Sequence, residues 1–199
     1  MGLDGLNVAR LTLVEIDPRQ VSRNKIAHET IVGDMQTIEL PAESFDLVIC
    51  YNVIEHLPRL TEALERMSRV VKRDGLVVIG APVPNSLSGL AARFTPHLVH
   101  VWICGICSNG RMRENRAVRP FPVAYQKLVQ PSALQSHARK LGLEPVYFRT
   151  YFGSLIEEIG RKNPLLGRLV VGAASLIGRA TCGALDLLRG DYHLVLRKI

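Results

Sequence analysis

Glu15, Asp34 and Glu55 each close, or closely follow, a short apolar run. Glu15 lies near the end of "LTLVEI" (11–16) and Asp34 ends "ETIVGD" (29–34). Glu55 follows "FDLVICY" (45–51) by way of Asn52, and His56 comes next. An ionised carboxylate only accepts, with about four lone-pair sites on its two oxygens. At a strand end it can hold the two hydroxyls of a ribose. It can also accept from the exocyclic amine of an adenine while the next backbone N–H meets a ring nitrogen. Acids at such places also cap helix N-termini, so the residue types alone leave both uses open. Imidazole is the side chain whose ordinary titration lies near neutrality. A histidine at 56 therefore offers a general base for an acceptor hydroxyl or amine. It equally offers a group that orients the loop or caps a helix beginning near Pro58.

These residues need rigid strands to hold them. "LTLVEI", "ETIVGD", "FDLVICY" and "LVVIGAP" (76–82) read as buried strands, apolar on both faces. Leu60, Ala63, Leu64, Met67, Val70 and Val71 recur at helical spacing, with Glu62, Glu65, Arg66, Arg69 and Lys72 opposite. Asp74-Gly75 is the expected stop of that helix. A second helix is expected after Pro131, ending at Gly142. "LEPVYFRTYF" (143–152) reads as a strand, and "DYHLVLRKI" (191–199) as an antiparallel edge strand. The fold class this implies is α/β: a Rossmann-like, mostly parallel sheet with helices on both faces and an antiparallel last strand. Ligands bind such sheets beyond the carboxyl ends of the strands, where these side chains gather.

The blocks "VEIDPRQV", "GDMQTIELPAESFDLVICYNVIEHL" and "EALERMSRVVKRDGLVVIGAPVPN" resemble the class I S-adenosylmethionine-dependent methyltransferases, in particular the type 11 small-molecule group. The resemblance runs through residues 11–85 and resumes at 131–150 and at the final strand. It implies S-adenosylmethionine as cofactor. It places Glu15 on the ribose hydroxyls, Asp34 on the adenine amine, and Met35 against the adenine ring with its N–H offered. It places Asn52 near the methionine moiety, and Glu55 and His56 at the methyl-transfer end as candidate catalytic residues. No metal is implied. The expected organisation is one domain over 1–199: a cofactor-binding core at 11–85, a lid or acceptor insert at 86–130, and C-terminal helices and strands at 131–199. The activity expected is methyl transfer to a small-molecule or lipid-like acceptor. The alternative is a non-catalytic methyltransferase-like module, or a peripheral membrane protein that has lost cofactor binding.

The chain departs from the family pattern at its start. The family's glycine-rich loop follows a strand that precedes the acid matched by Glu15, yet only fourteen residues lie before Glu15 here. The expectation is a fragment lacking the first strand, the glycine loop and the first helix. The strands at 11–16 and 45–51 would then either pair directly or leave unpaired backbone groups between them.

Charge and cysteines narrow the partners. Residues 1–100 carry 10 Lys+Arg against 12 Asp+Glu, and residues 101–199 carry 15 against 6. The basic half suits a solvated face, an acidic ligand or an anionic membrane. The arginines at 111, 113, 116 and 119 have no interleaved aromatics, which argues against nucleic acid. His97, His100, Cys104 and Cys107 have tempting spacing, but four ligands strung along one helix cannot close a tetrahedron. Residues 1–10 lack a signal-peptide pattern, so reduced thiols and a cytoplasmic location are expected. The apolar stretch 164–188 is interrupted by Arg168 and Arg179. That disfavours a membrane span and leaves a helix packed on its own domain or lying at a bilayer surface.

Overall fold

A computed structural model describes residues 7–87, 89, 90, 124, 126–183 and 185–199. The expected lid at 86–130 lies mostly outside them, as do the His97–Cys107 cluster and the arginines at 111–119.

Strands β1 (Thr12–Glu15) and β2 (Glu29–Val32) pair in parallel, with Glu15 opposite Val32. A single helical turn, α1 (Pro18–Val21), joins them. Asp17 caps it by accepting from Arg19 N at 2.9 Å, and Pro18 supplies the fixed φ suited to a first helical position.

A second sheet has four strands: β3 (Phe45–Tyr51), β4 (Val71–Pro82), β5 (Leu143–Phe152) and β6 (Arg189–Lys198), in the order β3-β4-β6-β5. β3 and β4 are parallel, and β6 is antiparallel to β4 and β5. The last strand is thus antiparallel as expected, but it sits inside the sheet and β5 holds the edge. Its alternation explains this: Tyr192, Leu194 and Leu196 are buried on one face, while both backbone edges are paired.

β1 and β3 do not pair, so the described strands form two separate sheets. Side chains make the connection instead. Arg66 Nε donates to Gln36 O and Arg66 Nη1 to Ile38 O, both at 2.9 Å, and Arg66 and Arg69 both pair with Glu39. These bonds tie the segment after β2 to helix α2 (Leu60–Val70).

α2 and α3 (Pro131–Lys140) cover one face of the four-stranded sheet. Leu60, Leu64 and Met67 of α2 and Leu134 of α3 are buried with Val77, Ile79, Leu143 and Leu194 of the strands. Full burial of each such side chain contributes roughly 1.5–3 kcal/mol. Tyr192 is fully buried in this core and donates its hydroxyl to Val129 O at 2.8 Å.

α2 ends at Val70, before the Asp74-Gly75 pair expected to stop it. β4 starts at once, because Val70 and Val71 are both buried and Val71 pairs with Phe45. The pairing then jumps to Leu47 with Leu76, so residues 72–75 bulge from the ladder with Asp74 at φ +60°. Gly75 is needed in this bulge: a Cβ there would lie 2.9 Å from Lys72 O and 3.0 Å from Asp46 O.

The stretch beginning at 164 forms α5 (Pro164–Ala180), which packs on α4 (Ser154–Lys162) as a helical hairpin. Asn163 caps α5, accepting from Leu166 N at 3.0 Å. The helices cross at two glycines, where a Cβ on Gly167 would stand 2.5 Å from Gly160 Cα. No described helix is long and apolar enough to cross a membrane.

Candidate functional site

The carboxyl ends of β1 and β2 lie side by side, because the strands are parallel and in register. Glu15 ends β1. Its Oε1 accepts from Asp17 N at 3.0 Å, and its backbone carbonyl accepts from Gly33 N at 3.0 Å. Asp34 follows β2 and starts a turn, its carbonyl accepting from Thr37 N and Ile38 N. Asp34 Oδ1 accepts from Gln36 N at 2.8 Å, and both its oxygens accept from Gln36 Nε2 at 3.0 Å. Each carboxylate keeps unused lone pairs after these contacts. Met35, next in the chain, is half-buried and packs against the core.

Gln36 had no role in the sequence reading. It is buried, and its Oε1 accepts from Arg59 N at 2.7 Å at the start of α2. Asp34, Gln36 and Arg59 thus form a polar chain that holds the turn after β2 beside the segment after β3. The only signal in the sequence is a Gln two positions past the acid in "GDMQ".

Asn52 follows β3 with φ +53°, a left-handed backbone that asparagine tolerates better than most residues. Its N–H donates to Gly80 O at 2.8 Å, the last rung between β3 and β4. The left-handed residue turns the chain out of the strand into a 3-10 turn, Ile54–His56. The run at 45–51 therefore ends without a glycine. His56 does not cap α2, whose N-cap position is Arg59 and has no side-chain cap.

Glu55 is the electrostatic centre of this segment. It is only 6% exposed, and Oε2 has no hydrogen-bond partner among the described residues. Burial raises its carboxyl above the ordinary range, and the nearby charge of Asp191 adds to the rise, against lowering by a backbone hydrogen bond and His56. Asp191, on β6 opposite Pro82, is also raised by burial. His56 Nε2 lies 3.8 Å from Glu55 Oε1, within ion-pair range but beyond a hydrogen bond. Cys50, beneath them, is pushed up to about 12 by burial and then by Glu55, so it is held as an inert thiol.

A cavity of about 280 Å³ opens beyond the end of β4. Val83, one of its lining residues, donates its N–H to Gly190 O at 2.8 Å, one residue from Asp191. Its wall mixes polar and apolar groups, including Asn85, Gln130, Gln135, Phe148 and Arg189. Sequence reasoning missed Asp191 and this cavity. Both depend on β6 lying against β4 in a register that no local pattern specifies.

Residues 2–79 match the model of a family described as "Methyltransferase domain". No curated protein sequence matches the chain. Among solved structures, a SAM-dependent methyltransferase from Archaeoglobus fulgidus is 18% identical. That alignment covers 94% of this chain and 75% of the other, with a TM-score of 0.58. A possible histamine N-methyltransferase from Thermotoga maritima is 15% identical over 95% of this chain and 73% of its own, with a TM-score of 0.52. Phosphoethanolamine N-methyltransferase 2 of Haemonchus contortus, solved with S-adenosyl-L-methionine, is 16% identical over 95% of this chain and 43% of its own, with a TM-score of 0.51. Glu15 at the end of β1, and Asp34 and Asn52 just past β2 and β3, all lie within the stretch that matches the methyltransferase-domain model, and the chain has the fold of solved S-adenosylmethionine-dependent methyltransferases.

Proposed function

We propose that the protein transfers a methyl group from S-adenosylmethionine to a small-molecule or lipid-like acceptor. The observation that carries this reading is the row of acceptor groups at the ends of parallel strands inside the matched domain. Glu15 and Asp34 are acceptors with unused lone pairs, and a ribose and an adenine amine present donors. When bound, the cofactor supplies a methyl on a positively charged sulfur.

In this reading Glu15 holds the ribose hydroxyls, Asp34 the adenine amine, and Met35 the ring. Asn52 lies toward the methionine moiety. The cavity beyond β4 takes the acceptor. Its volume lies just below the usual range of ligand pockets, roughly 300–1,000 Å³, which suits a small molecule or a polar head group. His56 takes the acceptor's proton. Glu55 Oε1 lies 3.8 Å from its Nε2, where an ionised carboxylate would favour the charged imidazole.

The test is transfer of label from methyl-labelled S-adenosylmethionine to small-molecule and lipid extracts. Label should leave the cofactor for one fraction. His56→Ala should lower kcat by about 10²-fold, the low end of general-base contributions, with little change in the KM for cofactor. Label confined to the cofactor in every fraction would contradict the proposal, and an unchanged kcat would remove His56 from it.

A further inference from the structure

The outer face of α5 has an arrangement that hairpin packing leaves unexplained. Gly167 and Ala174 are buried toward α4. On the far side Leu165 is 70% exposed, Leu169 64% and Leu176 65%, with Leu166 and Ile177 exposed beside them. At 100° per residue these five side chains fall within an arc of about 120°. Arg168 and Arg179 are also exposed and flank that arc along one side. Neither makes an ion pair among the described residues, whereas Arg161 and Lys162 of α4 are both engaged by Glu158. Residues 164–180 contain no Asp or Glu. From Leu165 to Arg179 the face is about 20 Å long at 1.5 Å per residue.

We propose that α5 seats this face in the surface of an anionic lipid bilayer. The leucines enter the boundary between head groups and acyl chains, and Arg168 and Arg179 stay level with the acidic head groups. Charge complementarity selects this occupant over a second copy of the chain. In an antiparallel two-fold pairing of two α5 helices, Arg168 of each would come alongside Arg179 of the other. Like charges would then meet at the rim of an apolar contact. An anionic surface instead offers both arginines an opposite charge. The seating also has a consequence for access: Gly183 and Asp186, just past α5, line both the cavity beyond β4 and a second cavity of about 400 Å³ against α5.

The experiment is flotation of the 199-residue protein with vesicles of phosphatidylcholine alone and of phosphatidylcholine with phosphatidylglycerol. The protein should float with the anionic vesicles and not with the neutral ones. Leu169→Asp with Leu176→Asp should abolish flotation. Both side chains are exposed, so an unchanged circular dichroism spectrum and melting temperature should accompany the loss. Arg168→Gln with Arg179→Gln should weaken the partition coefficient on the order of thirtyfold, about fivefold for each basic residue removed from an anionic surface. The proposal is overturned by absence of wild-type flotation, by equal flotation with both vesicle types, or by flotation that survives the leucine substitutions. Self-association that the leucine substitutions abolish, without vesicle binding, would assign the face to a second copy and also overturn it.

Discussion

At the scale of single residues, Glu55 carries the most unusual chemistry. A buried carboxyl oxygen with no partner among the described residues stays neutral easily and ionises at a penalty. Because its folded-state pKa is raised, the folded protein binds the proton more tightly than the unfolded chain does. Glu55 therefore contributes stability that is fully present below the ordinary carboxyl value of 4.5 and is lost as pH rises toward the folded value. Glu55→Gln keeps the shape and removes the charge. Urea denaturation should show the variant close to wild type at pH 4.5 and more stable by about 1 kcal/mol at pH 8. A variant equally destabilised at both pH values would mean that the carboxylate has a partner that the substitution removes. The strand ends at Glu15 and Asp34 and the loop residues Asn52 to His56 were readable, because each is adjacent to a long apolar run. Gln36 and Asp191 were not, because a side chain reaching Arg59 N and a register between β4 and β6 leave no mark on neighbouring residues.

At the scale of elements, the two sheets differ in how they are held. β1 and β2 form a two-stranded pair of four residues each, half-buried throughout or alternately exposed. Such a pair is marginal by itself. It depends on the polar ties from Gln36 to Arg59, from Arg66 to Gln36 and Ile38, and from Glu39 to Arg66 and Arg69. β4 and β6 instead are paired on both sides over a packed core. Amide exchange should therefore be fast in residues 12–15 and 29–32 and slowest in Val77, Ile79, Leu194 and Leu196. Cofactor binding, which engages the ends of β1 and β2, should slow the first group most. Uniform protection across both sheets would contradict the division. The extent of β3 was legible to the residue, since "FDLVICY" is an uninterrupted apolar run apart from one Asp. The boundary between α2 and β4 was not. Two buried valines carry the chain straight from helix into sheet, and the turn signal Asp74-Gly75 serves a bulge instead. The α4–α5 crossing was equally hidden, because Gly160 and Gly167 matter only for their approach to each other.

At the scale of the whole molecule, Glu15 and Asp34 lie at the carboxyl ends of β1 and β2, and a cavity opens beyond the end of β4. Methyl transfer from a sulfonium demands alignment more than acid–base help, so a scaffold that fixes cofactor and acceptor can supply much of the acceleration. The central claim is that Asp34 and Glu15 recognise the nucleoside of S-adenosylmethionine. The most direct test is calorimetric titration of S-adenosylhomocysteine into the 199-residue protein and into Asp34→Ala. Micromolar binding is expected of the wild type. The variant should bind more weakly by about 1–3 kcal/mol, roughly a five- to hundredfold change, because a buried amine loses its acceptor. No binding by the wild-type chain, or equal affinity in the two proteins, would contradict it.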